Sequence, residues 1–307
     1  MFLPGSLRFA LGVALTLSFA ATPKPARAQT PAAPPAGATQ APAAAAAPDD
    51  DPSVLDPVEP DYVIVNLPTT LRVPEWKGNF RLTHRFAGNL MTGSFSYQLS
   101  NLFGMDQGAI IGFEYRIGLP KHFEAAAYRT SFDKTIQFYT KWDGIRQRGR
   151  MPVAISPVVS IEGVNNFQDQ YAMAYGASIS RSMFKHLGVY ATPFVVTNTA
   201  ANLEPIQHTH DAGTSEDSHV HRDTFYVGLG ARARVLPTVY VTGEFAPRVD
   251  GYAPNDVEYG FGIEKRVGQH VFSLTFTNGF GTTFSQLARG GTANSLYLGF
   301  NLARKFF

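Results

Sequence analysis

The residues best suited to chemistry crowd into one stretch. His208, Thr209 and His210 are followed by His219, Val220 and His221, with Asp211, Glu216, Asp217 and Asp223 close by, and these four histidines are half of the eight in the chain. Imidazole ligates Zn²⁺, Cu²⁺ or Ni²⁺ and carboxylates can fill remaining positions, so two His-x-His pairs folded around Gly213 and Ser215 would make a metal site. A polar loop that is merely His-rich binds metal weakly by composition, and that reading stands beside the first. No general base or substrate cleft can be named next to these histidines. A metal held here would be captured, or would gate an outer mouth.

A second set is spread along the chain. Arg81, Arg85, Glu114, Arg116, Glu162, Arg232, Arg234, Glu244, Arg248, Glu258, Glu264 and Arg266 stand among apolar residues that occupy the alternate positions. Both signs are present in similar number. Charged rings of this kind tune the selectivity of a polar channel. Arg–Glu pairs can instead fill a narrow barrel and leave no path. The channel is the reading favoured here, with Arg232, Arg234, Glu244 and Glu264 as the leading pore-lining candidates. A catalytic set is missing: no G-x-S-x-G occurs, and isolated strand histidines such as His84 and His122 are read as structural. The expectation is therefore a protein that is not an enzyme and carries no organic cofactor.

The alternation that spaces these charges is strand periodicity. In residues 224–235, Phe225, Val227, Leu229, Ala231 and Val235 share one face, and Thr224, Tyr226, Gly228, Gly230, Arg232 and Arg234 the other. The same pattern returns with Val239, Val241 and Phe245; with Val257, Tyr259, Phe261 and Ile263; with Phe272, Leu274 and Phe276; and with Leu296, Leu298, Phe300, Leu302 and Phe306. Each run is about ten residues long, the length a tilted strand needs to cross a bilayer. Earlier runs lie at 77–88, 107–118, 121–131, 133–142, 151–162, 170–181 and 186–198. The fold expected is an all-β, antiparallel, up-and-down transmembrane β-barrel of about 12 strands, within roughly 10 to 14, closed by pairing the first strand with the last.

The connections support it. Those near Leu119 and Pro120, at 147–150, at 183–185, at Leu236 and Pro237 and at 267–269 are tight, whereas 89–106, 163–169, 199–221, 250–256 and 280–293 are longer, with a short exception near Phe132. Barrels of bacterial outer membranes have short periplasmic turns and longer external loops. Trp142, Tyr139, Phe280, Phe284, Phe306 and Phe307 are expected in the aromatic girdles at the two interfaces.

Composition narrows the alternatives. A net charge of +2 over 307 residues gives no basic patch for nucleic acid, and the absence of cysteine excludes disulfides, thiolate metal sites and a catalytic thiol. Beyond the N-terminal region, no run reaches the roughly 18 apolar residues of a membrane helix. Residues 1–28 read as a secretory signal peptide with Arg8 in its n-region and Ala26-Arg27-Ala28 as cleavage site. Residues 29–76 read as a Pro/Ala-rich disordered periplasmic linker and lead-in, acidic at Asp49, Asp50 and Asp51. Within it 61–76 is ambiguous, because Pro68 and Pro74 bracket an alternation at Val63, Val65 and Leu67 too short to span. It is read either as a lead-in or as a segment tucked into the lumen. Residues 77–307 are the barrel.

The final strand, Asn294 to Phe307, resembles the last strand of bacterial outer-membrane β-barrels, although its alternation runs through Phe300, Leu302 and Phe306 and not through Phe307. The stretches from Asn79 to Phe86, from Tyr128 to Phe138 and from Pro152 to Asn166 are similar to an uncharacterised family of such barrels, a domain of unknown function. That resemblance implies an outer-membrane location, lipid and the barrel-insertion machinery as partners, and no substrate. The functional expectation is a narrow, porin-like passive channel for small polar solutes or ions. The alternatives are a non-conducting barrel whose His-rich loop captures a metal or partner and, third, an outer-membrane enzyme.

Overall fold

The computed structural model describes residues 58–199 and 223–307. Both the signal at 1–28 and the His-rich loop with His208, His210, His219 and His221 lie outside them. Thirteen strand segments are present: β1 (Gly78–Asn89), β2 (Ala109–Gly118), β3 (Phe123–Thr130), β4 (Ile136–Trp142), β5 (Ala154–Gly163), β6 (Asp169–Met183), β7 (Leu187–Val196), β8 (Thr224–Leu236), β9 (Val239–Ala246), β10 (Arg248–Gly251), β11 (Glu258–Val267), β12 (His270–Thr277) and β13 (Tyr297–Phe306). β9 and β10 are one stave interrupted at Pro247, which has no N–H for the ladder. Beyond the break β10 continues along β8, with Arg248 opposite Tyr226.

The thirteen segments thus make twelve staves, as the periodicity predicts. Every stave pairs antiparallel with its neighbours in sequence, and β13 returns to β1, with Lys305 opposite Asn79 and Asn301 opposite Thr83. Closure is what lets strands cross lipid, because it leaves no unpaired backbone edge. The expected pairing of first and last strands is met.

Alternation sorts the side chains as read from the sequence. Along β11, Tyr259, Phe261 and Ile263 point outward and are exposed to the lipid side, while Glu258, Gly260, Gly262 and Glu264 are buried within. Phe113, Phe138, Ile161, Val241 and Leu274 continue the outward apolar band around the other staves. His84 also faces outward and stacks on Phe300 at 4.8 Å between centroids, a structural role. One end of the barrel carries tight reversals. Between β11 and β12 only Gly268 and Gln269 intervene, with Gly268 at φ +57°, the left-handed start of a primed hairpin turn. The other end carries the longer loops, apart from the short turn Phe132–Lys134.

Two inserts fill the interior. One is the helix Phe284–Arg289, which belongs to the connection between β12 and β13; its first five residues are buried. The other is the N-terminal segment 58–73, in which Tyr62, Val63, Ile64, Val65 and Leu67 are almost completely buried. Of the two readings of 61–76, the burial of residues 61–71 is that of a segment tucked into the lumen, while Glu75 and Trp76 at its end are exposed. The short Val63, Val65, Leu67 run is not a stave. It lies inside a ring of polar side chains that bind its backbone.

Candidate functional site

The plug is a reverse turn with main-chain groups facing out of it. Ile64 N–H donates to the Leu67 carbonyl at 2.9 Å and Thr69 N–H to the Tyr62 carbonyl at 2.9 Å, so the chain doubles back between them. At the tip, the N–H groups of Val65, Asn66 and Leu67 all converge on the Glu244 carboxylate, at 3.0, 2.8 and 3.0 Å. Three successive N–H groups around one carboxylate form an anion-binding nest. Around it Asn301 Nδ2 donates to the Val65 carbonyl at 3.1 Å, and Arg85 bridges Asn301 Oδ1 and Asn66 Oδ1, both at 2.9 Å. Arg232 donates to the Val63 carbonyl. Lys141 Nζ donates to the carbonyls of Thr69 and Leu71 at 3.2 and 2.8 Å, and Ser178 to that of Pro68 at 3.0 Å.

Shape supports the polar fit. A Cβ placed on Gly228 would stand 2.7 Å from Leu67 Cδ1, and one on Gly230 would collide with Ile64 Cδ1. A Cβ on Gly260 would meet Val65 Cγ1 at 3.2 Å. These inward glycines form the hollow that receives the plug's apolar side chains.

Below the tip lies a buried ion network. Glu114 pairs with Arg81 at 3.9 Å and with Arg116, whose Nη1 is 3.8 Å from Glu124. Lys141 joins Glu124 at 3.3 Å to Asp143 at 3.2 Å. Burial pushes the Asp143 carboxyl up from its ordinary value while Lys141 pulls it down. Across the lumen, Arg232 holds Glu264 through two bonds at 2.7 and 3.0 Å. Such fork-to-fork pairs are the strongest of their kind.

The inward helix is pinned from a different stave. Glu162 accepts from Thr283 Oγ1 at 2.8 Å, from Ser285 N–H at 3.2 Å and from Ser285 Oγ. Phe284 stacks on Phe194 at 4.5 Å and lies 6.0 Å from the Tyr139 ring. Tyr139 and Phe284 were expected in an interfacial girdle from their place near strand ends, and the structure corrects this. Both are buried in the lumen, because Tyr139 falls on the inward parity of β4 and the Phe284 loop folds in. Phe306 does face outward, exposed, as a girdle requires. Glu162→Ala is expected to free this helix: buried donors left unpaired cost about 1–3 kcal/mol each. Hydrogen exchange at Ser285 to Ala288 should accelerate while that of the staves stays unchanged. Equal protection in both forms would show that Phe284 packing alone holds the helix.

Of the inward charges read from the sequence, Arg81, Arg85, Glu114, Arg116, Glu162, Arg232, Glu244, Glu258 and Glu264 are buried in the lumen. Arg234, Arg248 and Arg266 are placed nearer its ends. Arg234 donates to the Pro237 carbonyl in a tight turn at 2.9 Å, and Arg248 to the Arg289 carbonyl at the opposite rim at 2.9 Å. Arg266 is half-buried beside the turn at Gly268. The sequence reading passed over Glu124, Lys141 and Asp143, although the parity of β3 and β4 marks the first two as inward. It also passed over the backbone of 63–71, which no side-chain pattern announces. Among the described residues, no group of three or more potential metal ligands is brought together.

This geometry defines a class: a closed membrane β-barrel plugged by its own N-terminal segment and by an inward loop. The chain belongs to the family described as "Membrane bound beta barrel domain (DUF5777)", whose model matches residues 61–306 and so takes in the plug's turn as well as the staves. The chain also resembles outer-membrane barrels of known structure. The KdgM porin is 6% identical, with 75% of this chain and 98% of that one covered at a TM-score of 0.44. The outer membrane protein Omp33 of Acinetobacter baumannii is 9% identical, with 76% and 99% covered at 0.40. Outer membrane phospholipase A from Escherichia coli is 7% identical, with 76% and 91% covered at 0.42. None of the curated proteins matches the chain.

Proposed function

We propose that the protein is a narrow, porin-like channel for small polar solutes or ions in the bacterial outer membrane. In its resting state segment 58–73, entering from the periplasmic end, closes the lumen. One observation carries this reading: the plug is held through its main chain by charged and polar lumen groups, with Glu244, Lys141, Arg232 and Asn301 as the anchors. Water can replace each of those bonds when the plug withdraws, so leaving costs far less than breaking a dry core. What then remains beside the inward helix is a wall of Arg, Glu, Ser and Thr side chains, the lining of a narrow aqueous pore. Several buried polar atoms, among them both carboxylate oxygens of Glu258 and the Thr275 hydroxyl, have no hydrogen-bond partner among the described residues, and water or a polar solute suits them. The tight turns then face the periplasm and the longer loops the exterior, and the barrel-insertion machinery places the chain in the membrane. The reading assigns no catalytic residue.

Single-channel recording tests it. The full mature protein is expected to be silent in a planar bilayer, and the same protein lacking residues 58–73 is expected to conduct in discrete steps. If the deletion impairs assembly, Gly230→Leu provides a second route, since its side chain occupies the space of Ile64. A folded, plug-free barrel that conducts nothing would overturn the proposal.

A further inference from the structure

The loop at 90–108 breaks the usual rule for surface segments. It contains a short helix, Phe95–Ser100, capped by the Ser94 side chain, and a following turn over Leu102–Gln107. Within it Phe95 is 73% exposed, and Met91, Tyr97, Leu99, Leu102, Phe103 and Met105 are exposed too. The polar Gln98 is turned inward and buried, and it donates to the Asn89 carbonyl at 3.0 Å. Residues 90–105 include no Asp, Glu, Lys or Arg. A lid facing water would carry its polar groups outside and its rings beneath. Here the rings are exposed alongside Ser94, Ser96 and Ser100, and Gln98 takes the buried place beneath.

The loop's position supplies the reason. Gly88 lies near the long-loop end of β1, in the stretch between Arg85 and Asn89 where the register with β13 slips: Arg85 is opposite Gly299 and Asn89 opposite Tyr297. Gly104 packs directly on Gly88: a Cβ on Gly104, at φ +85°, would come 2.6 Å from the Gly88 carbonyl oxygen. The backbones approach that closely only because neither residue has a side chain. The turn thus packs on β1 near the strand end that carries Phe86, whose ring lies 6.2 Å from that of Phe300 on the neighbouring stave.

We propose that segment 90–105 is a lipid-seated flap, whose exposed Phe95, Leu99, Leu102 and Phe103 rest in the membrane leaflet at the long-loop end of the barrel. The inference does not depend on whether the lumen conducts. Interfacial segments of this kind seat their apolar face about 5–10 Å into the boundary between headgroups and acyl chains. Lipid is the occupant because the flap packs on β1, a stave of the lipid-covered wall, and because this many exposed rings and aliphatic side chains with no charge among them are poorly suited to water. The flap extends the anchoring of β1 laterally, beyond the circumference that the staves provide.

The chain has two tryptophans, Trp76 and Trp142, and no cysteine. A Trp76→Phe, Trp142→Phe background carrying Phe95→Trp therefore places one reporter on the flap. In phosphatidylcholine vesicles its emission is expected to be blue-shifted, strongly quenched when the acyl chains are brominated near the ester end, and little affected by iodide in the water. Emission typical of exposed indole, quenched by iodide and not by brominated lipid, would overturn the proposal. A second copy of the chain is the other occupant to exclude. Leu99→Cys forming disulfide-linked dimers efficiently in the same vesicles, with weak bromolipid quenching at position 95, would assign the surface to self-association and would also overturn it.

Discussion

Arg232→Ala is expected to destabilise the folded barrel by about 3–5 kcal/mol, the range for removing one partner of a buried ion pair. The Arg232 guanidinium is fully buried and grips both oxygens of Glu264, at 2.7 and 3.0 Å. It also supports the plug at the Val63 carbonyl. Truncation leaves the Glu264 carboxylate in the interior with its cation gone. The urea concentration at mid-unfolding in micelles should fall, and a companion Arg232→Met, Glu264→Met variant should recover most of the loss, because an apolar pair of similar volume is often no less stable than the ion pair it replaces. An unchanged midpoint for Arg232→Ala would mean that water already reaches Glu264 and that the pair lies in an open path. Arg232→Glu, which puts two carboxylates side by side, is expected to be worse than Ala on the same assay.

Glu244→Ala should act on the plug and not on the barrel. Its carboxylate accepts from the N–H groups of Val65, Asn66 and Leu67 together. Hydrogen bonds to a charged group contribute about 1.5–3 kcal/mol each, and they are not additive, since water enters once the first is lost. Taking about 3 kcal/mol in all, the ratio of released to seated plug rises roughly 150-fold. The readouts are faster hydrogen exchange at residues 65–67 and channel events that the unaltered protein lacks. Unfolding of the staves should shift little, because the ladder bonds of β9 do not pass through this side chain. Exchange at 65–67 as slow as in the unaltered protein would show that the glycine hollow at Gly228 and Gly230 seats the plug without Glu244. In the Glu162→Ala form, by contrast, only the inward helix should loosen. The two variants therefore separate the two inserts.

Much of the fold was readable because a membrane barrel writes itself into the chain locally. Each stave needs one face for lipid and one for the interior, and the pleat converts that need into a period of two. Phe261 and Ile263 against Gly262 and Glu264 fix the faces of β11 without any knowledge of its neighbours. Tight and long connections then fix the direction of each stave. The inward charges were found by the same parity, and Glu124 and Lys141 obey it too. In β3 and β4 each stands as the single inward charge of its strand, so no charged face announces them.

Parity does not say how far along the lumen a residue sits. Arg234 and Arg266 alternate as well as Arg232 does, yet they lie by the tight turns, where Arg234 binds a turn carbonyl. Tyr139 and Phe284 show the complementary limit. Closeness to a strand end suggests an interfacial ring, but whether a loop folds inward depends on the space left by staves far away in sequence, Phe194 and Glu162 among them.

The sequence alone thus determined the class of the molecule, the number of staves to within about two, their faces and the strand that closes the ring, since all of these follow from interactions between residues near in the chain or from the lipid outside. Only the tertiary structure decided what the lumen contains. In segment 58–73 the alternating run of Val63, Val65 and Leu67 is too short for a stave, and its place is set by backbone N–H and C=O groups meeting Glu244, Asn301, Arg232 and Lys141. Backbone groups are the same in every residue, so their partners leave no mark in the sequence until the barrel has closed around them.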